Sequence, residues 1–214
     1  MPQTQLADQA PAVVLIHGIW MPGLEMSLLA RRLRQCGFRT YLFSYPSIRC
    51  DLVRNAARLQ QFVQGIDEPV VHFVAHSLGG LLVRQFFHDF PEQRHGRVVT
   101  LGTPHTGSEV ARRMGSNPFG KMLLGKSYKH GLRGDVPPWT GPREIGVIAG
   151  NFSLGLGRLT GSLSGPNDGE VSVEESRLAG MTAYRVFAIN HMGLIFSRAV
   201  AKAVCCFLRT GQFS

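Results

Sequence analysis

Ser77, His191 and Asp168 are the residues of this 214-residue chain whose types could together carry out nucleophilic chemistry. A serine hydroxyl attacks only when a base takes its proton, and an imidazole does so best when a carboxylate fixes its tautomer and stabilises the cation that forms. Ser77 lies in Ala75-His76-Ser77-Leu78-Gly79, a small-x-Ser-x-Gly variant of the nucleophile elbow. Such a turn needs little bulk two residues either side of the serine, where strand and helix backbones crowd, and alanine and glycine supply that. His191 follows an apolar run, in Ala188-Ile-Asn-His191-Met-Gly193, and Asp168 sits in Gly165-Pro-Asn-Asp168-Gly169-Glu170. Each has a plain reading on its own. The serine motif is also an ordinary βα turn, the aspartate a turn residue, and the histidine a loop residue. Glu170, Asp135 and Glu144 are alternative partners for the histidine. The set of three in these slots is what points to an acyl-enzyme on Ser77.

The elements that would position them read as an alternation of strands and helices. Short uninterrupted apolar runs at 12–16, 40–44, 70–74, 96–101, 144–149 and 183–189 suit parallel strands covered on both faces. Helical spacing recurs at 24–36, 51–63, 79–87 and 192–208, with shorter helices at 109–114 and 119–124. About six mostly parallel strands flanked by helices make a doubly wound sheet, and right-handed crossovers put the strand C-terminal ends on one edge. The stretches 117–143 and 151–168 are longer than a compact fold needs and leave from that same edge, where they would wall or cap a pocket, with Leu154, Leu156 and Leu159 either lining it or forming small satellite packing clusters. Neither repeat nor linker interrupts the chain, so it reads as one domain over 1–214 with its core at about 12–208.

The oxyanion that develops in acyl transfer needs N–H donors. The backbone N–H of Leu78, at a helix start, is one, and that of Ile19, in His17-Gly18-Ile19-Trp20, is the other. His17 reads as a loop-fixing residue. His76 is expected to point away from the serine. His105, in Thr103-Pro-His-Thr-Gly107, is expected to shape the pocket. Trp20, Met21 and Met192 would contribute an apolar substrate wall, although core or loop anchoring accounts for them equally well.

Composition bounds the rest. The chain has 44% hydrophobic and 17% charged residues, and 23 Lys and Arg against 14 Asp and Glu give a formal net charge of +9. The cations are scattered and no nucleic-acid motif is present. A basic solvated surface is the plainer reading of the charge, and a weak contact with an anionic membrane surface the sharper one. The cysteines, at 36, 50, 205 and 206, have no metal-site or disulfide-framework spacing and read as buried thiols. No apolar stretch is long enough to span a membrane, the N-terminus lacks a basic leader, and a cytoplasmic location follows as the expectation.

Together these motifs resemble the α/β-hydrolase family, in its small bacterial lipase and esterase branch. Val14-Leu-Ile-His-Gly18 is similar to the family's first-strand oxyanion motif, Val74-Ala-His-Ser-Leu-Gly-Gly80 to its elbow, and Thr100-Leu-Gly-Thr-Pro-His-Thr-Gly107 to a loop of triacylglycerol lipases. Asn167-Asp-Gly-Glu-Val171 resembles the acid loop, and the order Ser77, Asp168, His191 is the family's. The resemblance implies a minimal fold without a large cap and hydrolysis of carboxylic esters of apolar acyl groups, with no metal or organic cofactor. The substrate would be a small ester or a lipid, with no nucleic-acid partner. An acyltransferase or thioesterase using the same residues, or an inactive binding protein that kept the fold, are the alternatives. Chain length and size depart from larger members, and Ala75 stands where glycine is commoner.

Overall fold

The computed structural model describes residues 10–154 and 163–213. Strands β1 (Ala12–Ile16), β2 (Arg39–Phe43), β3 (Val71–His76), β4 (Val98–Leu101), β5 (Ile145–Gly150) and β6 (Ala183–Phe187) form one sheet in the order β2-β1-β3-β4-β5-β6. Every pairing is parallel. The helices are α1 (Ser27–Gln35), α2 (Leu52–Gln64), α3 (Leu78–Asp89), α4 (Glu109–Met114), α5 (Pro118–Leu124), α6 (Gly193–Phe196) and α7 (Arg198–Thr210). No cap domain is inserted among the described residues.

Burial explains the apolar runs. Along β1, Ala12, Val14 and Ile16 pack under α2 and α3, while Val13 and Leu15 pack under α1 and α7. A strand covered on both faces has no polar side to alternate with. Phe73 of the central β3 meets Phe86 and Phe87 of α3 at ring distances of 5.5 and 5.2 Å, which pins that helix beneath the sheet.

Local chemistry moved several boundaries. The helix expected over 24–36 is a 3-10 turn at Leu24–Met26 followed by α1. The closing helix expected over 192–208 breaks at Ser197, which is extended and whose hydroxyl accepts from the Val200 N–H at 3.3 Å, so it caps α7 and separates it from α6. The stretch 117–143 is more ordered than a loop: it holds α5, a 3-10 turn at Gly125–Ser127 and a π turn at Tyr128–Leu132. Part of 151–168, with Leu156 and Leu159, lies outside the described residues.

The cysteine expectation is corrected. Cys36 at the end of α1 and Cys205 of α7 form a disulfide with 6.4 Å between their Cα atoms. They are 169 residues apart in sequence, and only the packing of both helices on one face of the sheet brings them together. Among the described residues, no helix is long and apolar enough to cross a membrane, and no group of three metal-ligating side chains forms.

Candidate active site

Ser77 occupies the single residue between β3 and α3. Its backbone takes φ 53° and ψ −124°, a conformation that costs a non-glycine residue about 1–3 kcal/mol and survives only where the surroundings impose it. They do so here. The Ser77 N–H donates to Leu101 O at 2.9 Å, and the Thr103 hydroxyl donates to Ser77 O at 2.9 Å. The start of α3 is pressed against the end of β1, since a Cβ on Gly79 would come within 2.6 Å of His17 O. Only glycine fits there, which gives the small residue of the motif its physical reason. Leu78 is the first residue of α3, so its N–H has no acceptor within the helix and carries the positive end of the helix dipole.

His191 follows β6 and is buried. Its Nδ1 is 2.7 Å from Asp168 Oδ2, and its backbone N–H donates to Asp168 O at 2.9 Å. Asp168 is held in turn: its Oδ1 accepts from the N–H groups of Glu170 at 3.0 Å and Val171 at 2.7 Å. The turn that carries it is closed by the Gly169 N–H donating to Asn167 Oδ1 at 3.0 Å. Of the alternative acids, Asp135 instead accepts from Gly131 N–H and Glu144 pairs with Arg97. Glu170 does approach the imidazole, but on the other side, with Oε2 3.6 Å from Nε2. Burial alone would depress the His191 pKa. The charge and hydrogen bond of Asp168, with the charge of Glu170, outweigh it and raise the pKa above the ordinary 6.5.

Gly102, just after β4, escaped the sequence reading. It has φ 56°, and a Cβ there would lie 2.9 Å from His191 Nδ1 and 3.0 Å from Asp168 Oδ2. The missing side chain is the space in which that pair meets. The signal was present in Leu-Gly-Thr-Pro, where a glycine directly follows an apolar strand.

The remaining histidines divide by packing. His17 fixes its loop: its Nε2 accepts from the Tyr45 N–H at 3.1 Å, Nδ1 contacts Gly18 O at 2.7 Å, and the ring stacks on Tyr45 at 4.3 Å. His76 is buried beside the imidazole of His191. Its ring lies 4.6 Å from that of His191, with Nε2 3.2 Å from His191 O. Burial, then the neighbouring His191, holds it well below 6.5, so it is neutral beneath the second imidazole. His105 is not brought to the cleft. It is buried against Thr100, with Nε2 3.0 Å from Oγ1, while its carbonyl accepts from Arg84 at 2.6 Å.

Ser77 opens on two adjoining cavities. One, of about 160 Å³, is lined by Gly18, Ile19, Trp20, Met21, Glu170, His191 and Met192. The other, of about 40 Å³, is mainly apolar, with Val110, Ala111, Met114, Leu124, Leu132 and Val171 in its wall beside Ser108 and Glu170. Trp20, Met21 and Met192 are therefore at the serine, as is Ile19. Among the described residues, the Ile19 N–H has no hydrogen-bond acceptor. The stretch 117–143 supplies part of the wall and is tied to Trp20, whose indole N–H donates to Leu123 O at 2.8 Å.

The chain is similar in structure to the mature form of Bacillus licheniformis lipase BlEst2, with 21% identity, a TM-score of 0.71 and coverage of 100% of this chain and 96% of that one. The propeptide form of the same lipase is matched over 91% of this chain and 49% of its own length, at 22% identity and a TM-score of 0.67. A Paleococcus ferrophilus monoacylglycerol lipase is similar at 16% identity and a TM-score of 0.59, covering 92% of this chain and 96% of the other. Among curated protein sequences none matches. A sequence model of the alpha/beta hydrolase family matches residues 13–200. That match spans most of the chain, so the chain belongs to the alpha/beta hydrolase family.

Proposed function

We propose that the protein is a serine hydrolase of carboxylic esters. The observation that carries the reading is the strained Ser77 opening onto the same cavity as His191, whose far nitrogen is bonded to Asp168. In this reading Ser77 Oγ attacks the ester carbonyl as His191 Nε2 takes its proton. Asp168 holds Nδ1 protonated and stabilises the imidazolium. The N–H groups of Ile19 and Leu78 receive the oxyanion, and His191 then protonates the leaving alcohol. Water, activated by the same imidazole, releases the acid from Ser77.

The apolar wall of the smaller cavity suits an acyl chain, and its volume of about 40 Å³ suits a short one. The structural neighbours named as lipases support the class of bond. The Cys36–Cys205 bond fits an oxidising compartment, which weighs against the cytoplasmic expectation.

The test is turnover of nitrophenyl esters from acetate to palmitate, beside Ser77→Ala. Loss of at least about 10⁴-fold in kcat in the variant supports the nucleophile. Absence of turnover and of labelling by a serine-reactive phosphonate in the folded protein would sink the hydrolase reading in favour of a binding protein.

A further inference from the structure

On the face of the sheet that α1 and α7 cover, a groove of about 940 Å³ runs between the two helices. Arg31 and Arg32 of α1 and Arg198, Lys202 and Arg209 of α7 line it, together with Leu28. Leu28 is three and four residues from Arg31 and Arg32, and Arg198, Lys202 and Arg209 follow one another at four and seven residues, so each set lies along one helix face. The Cys36–Cys205 disulfide lies in the lining and fixes the separation of the two helices. The chain has an excess of nine cationic over anionic side chains, and five cations line this groove while no carboxylate does. Among the described residues, Arg31, Arg198 and Lys202 pair with no acid. Arg32 donates to Phe196 O at 2.6 Å, and Arg209 to Cys36 O. A concave surface of one sign over apolar walls concentrates counter-charge.

Beyond Leu28 of the lining, further exposed apolar side chains adjoin the groove and extend it into an apolar end. Leu24, Leu28 and Phe196 are 73%, 37% and 44% exposed. Leu24 and Leu28 are one helical turn apart where the chain enters α1, and Phe196 is joined to α1 through Arg32. Because α1 leaves the C-terminal side of β1, this end lies toward the edge that holds Ser77.

We propose that the groove and its apolar end form a docking surface for an anionic lipid bilayer. Cations near such a surface are attracted by its negative potential, and exposed leucine and phenylalanine enter the boundary between headgroups and acyl chains. A nucleic acid would satisfy the arginines and leave Leu24, Leu28 and Phe196 uncovered. Docking in this way sets the catalytic edge beside the lipid, and the proposal stands whether or not that edge hydrolyses esters.

The experiment is co-sedimentation of the full chain with vesicles of phosphatidylcholine alone or with phosphatidylglycerol added. Binding is expected only with the anionic lipid and is expected to weaken as salt is raised. The triple variant Arg31→Glu, Arg198→Glu, Lys202→Glu is expected to lose more than about tenfold in partitioning. The double variant Arg54→Glu, Arg58→Glu, on exposed positions of α2 across the sheet, is expected to bind as the parent does. Circular dichroism checks that both variants are folded. If the α2 variant loses as much as the groove variant, net charge alone drives binding and the site is refuted. Equal binding to both vesicle types, release by millimolar inorganic phosphate at constant ionic strength, or tighter binding to duplex DNA than to the vesicles would also overturn it.

Discussion

The Glu170 carboxylate lies 3.6 Å from Nε2 of His191, on the nitrogen opposite the one that Asp168 holds at 2.7 Å. The imidazole thus stands between two acids from one short turn. Both raise its pKa, and Glu170 also faces the nitrogen that would accept the serine proton. A base works only when neutral, so the acid limb of kcat/KM is expected above the ordinary histidine value of 6.5. Glu170→Gln removes one negative charge and is expected to move that limb to lower pH while turnover persists. A pH–rate profile of the two proteins checks this, and an unmoved limb would show that Glu170 does not act on the base. The sign for stability is the reverse: a raised folded pKa stabilises the fold below about pH 6.5, and that contribution is lost as pH rises through the raised value.

Gly102→Ala tests the space in which His191 and Asp168 meet. The new methyl would be 2.9 Å from Nδ1, on a residue at φ 56°. We expect kcat to fall more than about tenfold, because a small misplacement of the base is costly. Thermal stability should drop by about 1 kcal/mol or more from the strained backbone. Parent-like kcat would mean that the pair tolerates displacement.

The disulfide closes a loop of 169 residues. By the chain-entropy account, a loop of that size stabilises by up to about 5 kcal/mol. Reductant is therefore expected to lower Tm substantially. Thiol titration of the denatured chain should count Cys50 and Cys206 before reduction and all four cysteines after it. Four thiols in the protein as purified under air would contradict the cross-link.

His72 makes the fold sensitive to acid. Burial, followed by the charges of Arg97 and Arg143, pushes its pKa to about 4, and its Nδ1 accepts from the Arg97 N–H at 2.8 Å. A depressed histidine is neutral in the folded state, so stability is lost as pH falls from about 6.5 toward 4. Its share is about 3 kcal/mol. Urea unfolding at neutral pH and near pH 4 should show a smaller drop for His72→Gln than for the parent. Some drop should remain, because burial lowers His17, His76 and His105 as well.

Met114 stands in the wall of the 40 Å³ cavity. Met114→Ala enlarges it and is expected to shift the preferred nitrophenyl ester toward longer acyl chains, read as the ratio of kcat/KM across the series. An unchanged ratio would place the acyl chain elsewhere, in the cleft beside Met21 and Met192.

The strands, most helices and the turns carrying Ser77, Asp168 and His191 were legible in the sequence because their signals are local. Apolar runs mark β1 and β3, which are buried on both faces, and Ala75, Gly79 and the Pro-Asn-Asp-Gly turn mark backbone geometry within a few residues. What lies across the sheet was not legible. Asp168 and Glu170 are two residues apart and equally acidic, and only the fold decides that one meets Nδ1 and the other Nε2. The packing of His76 against His191 and the Cys36–Cys205 bond have the same origin. Each joins or separates groups according to strand order and helix packing. Residue types and spacing along the chain hold the local chemistry, while distances between remote segments follow from how both faces of the sheet are covered.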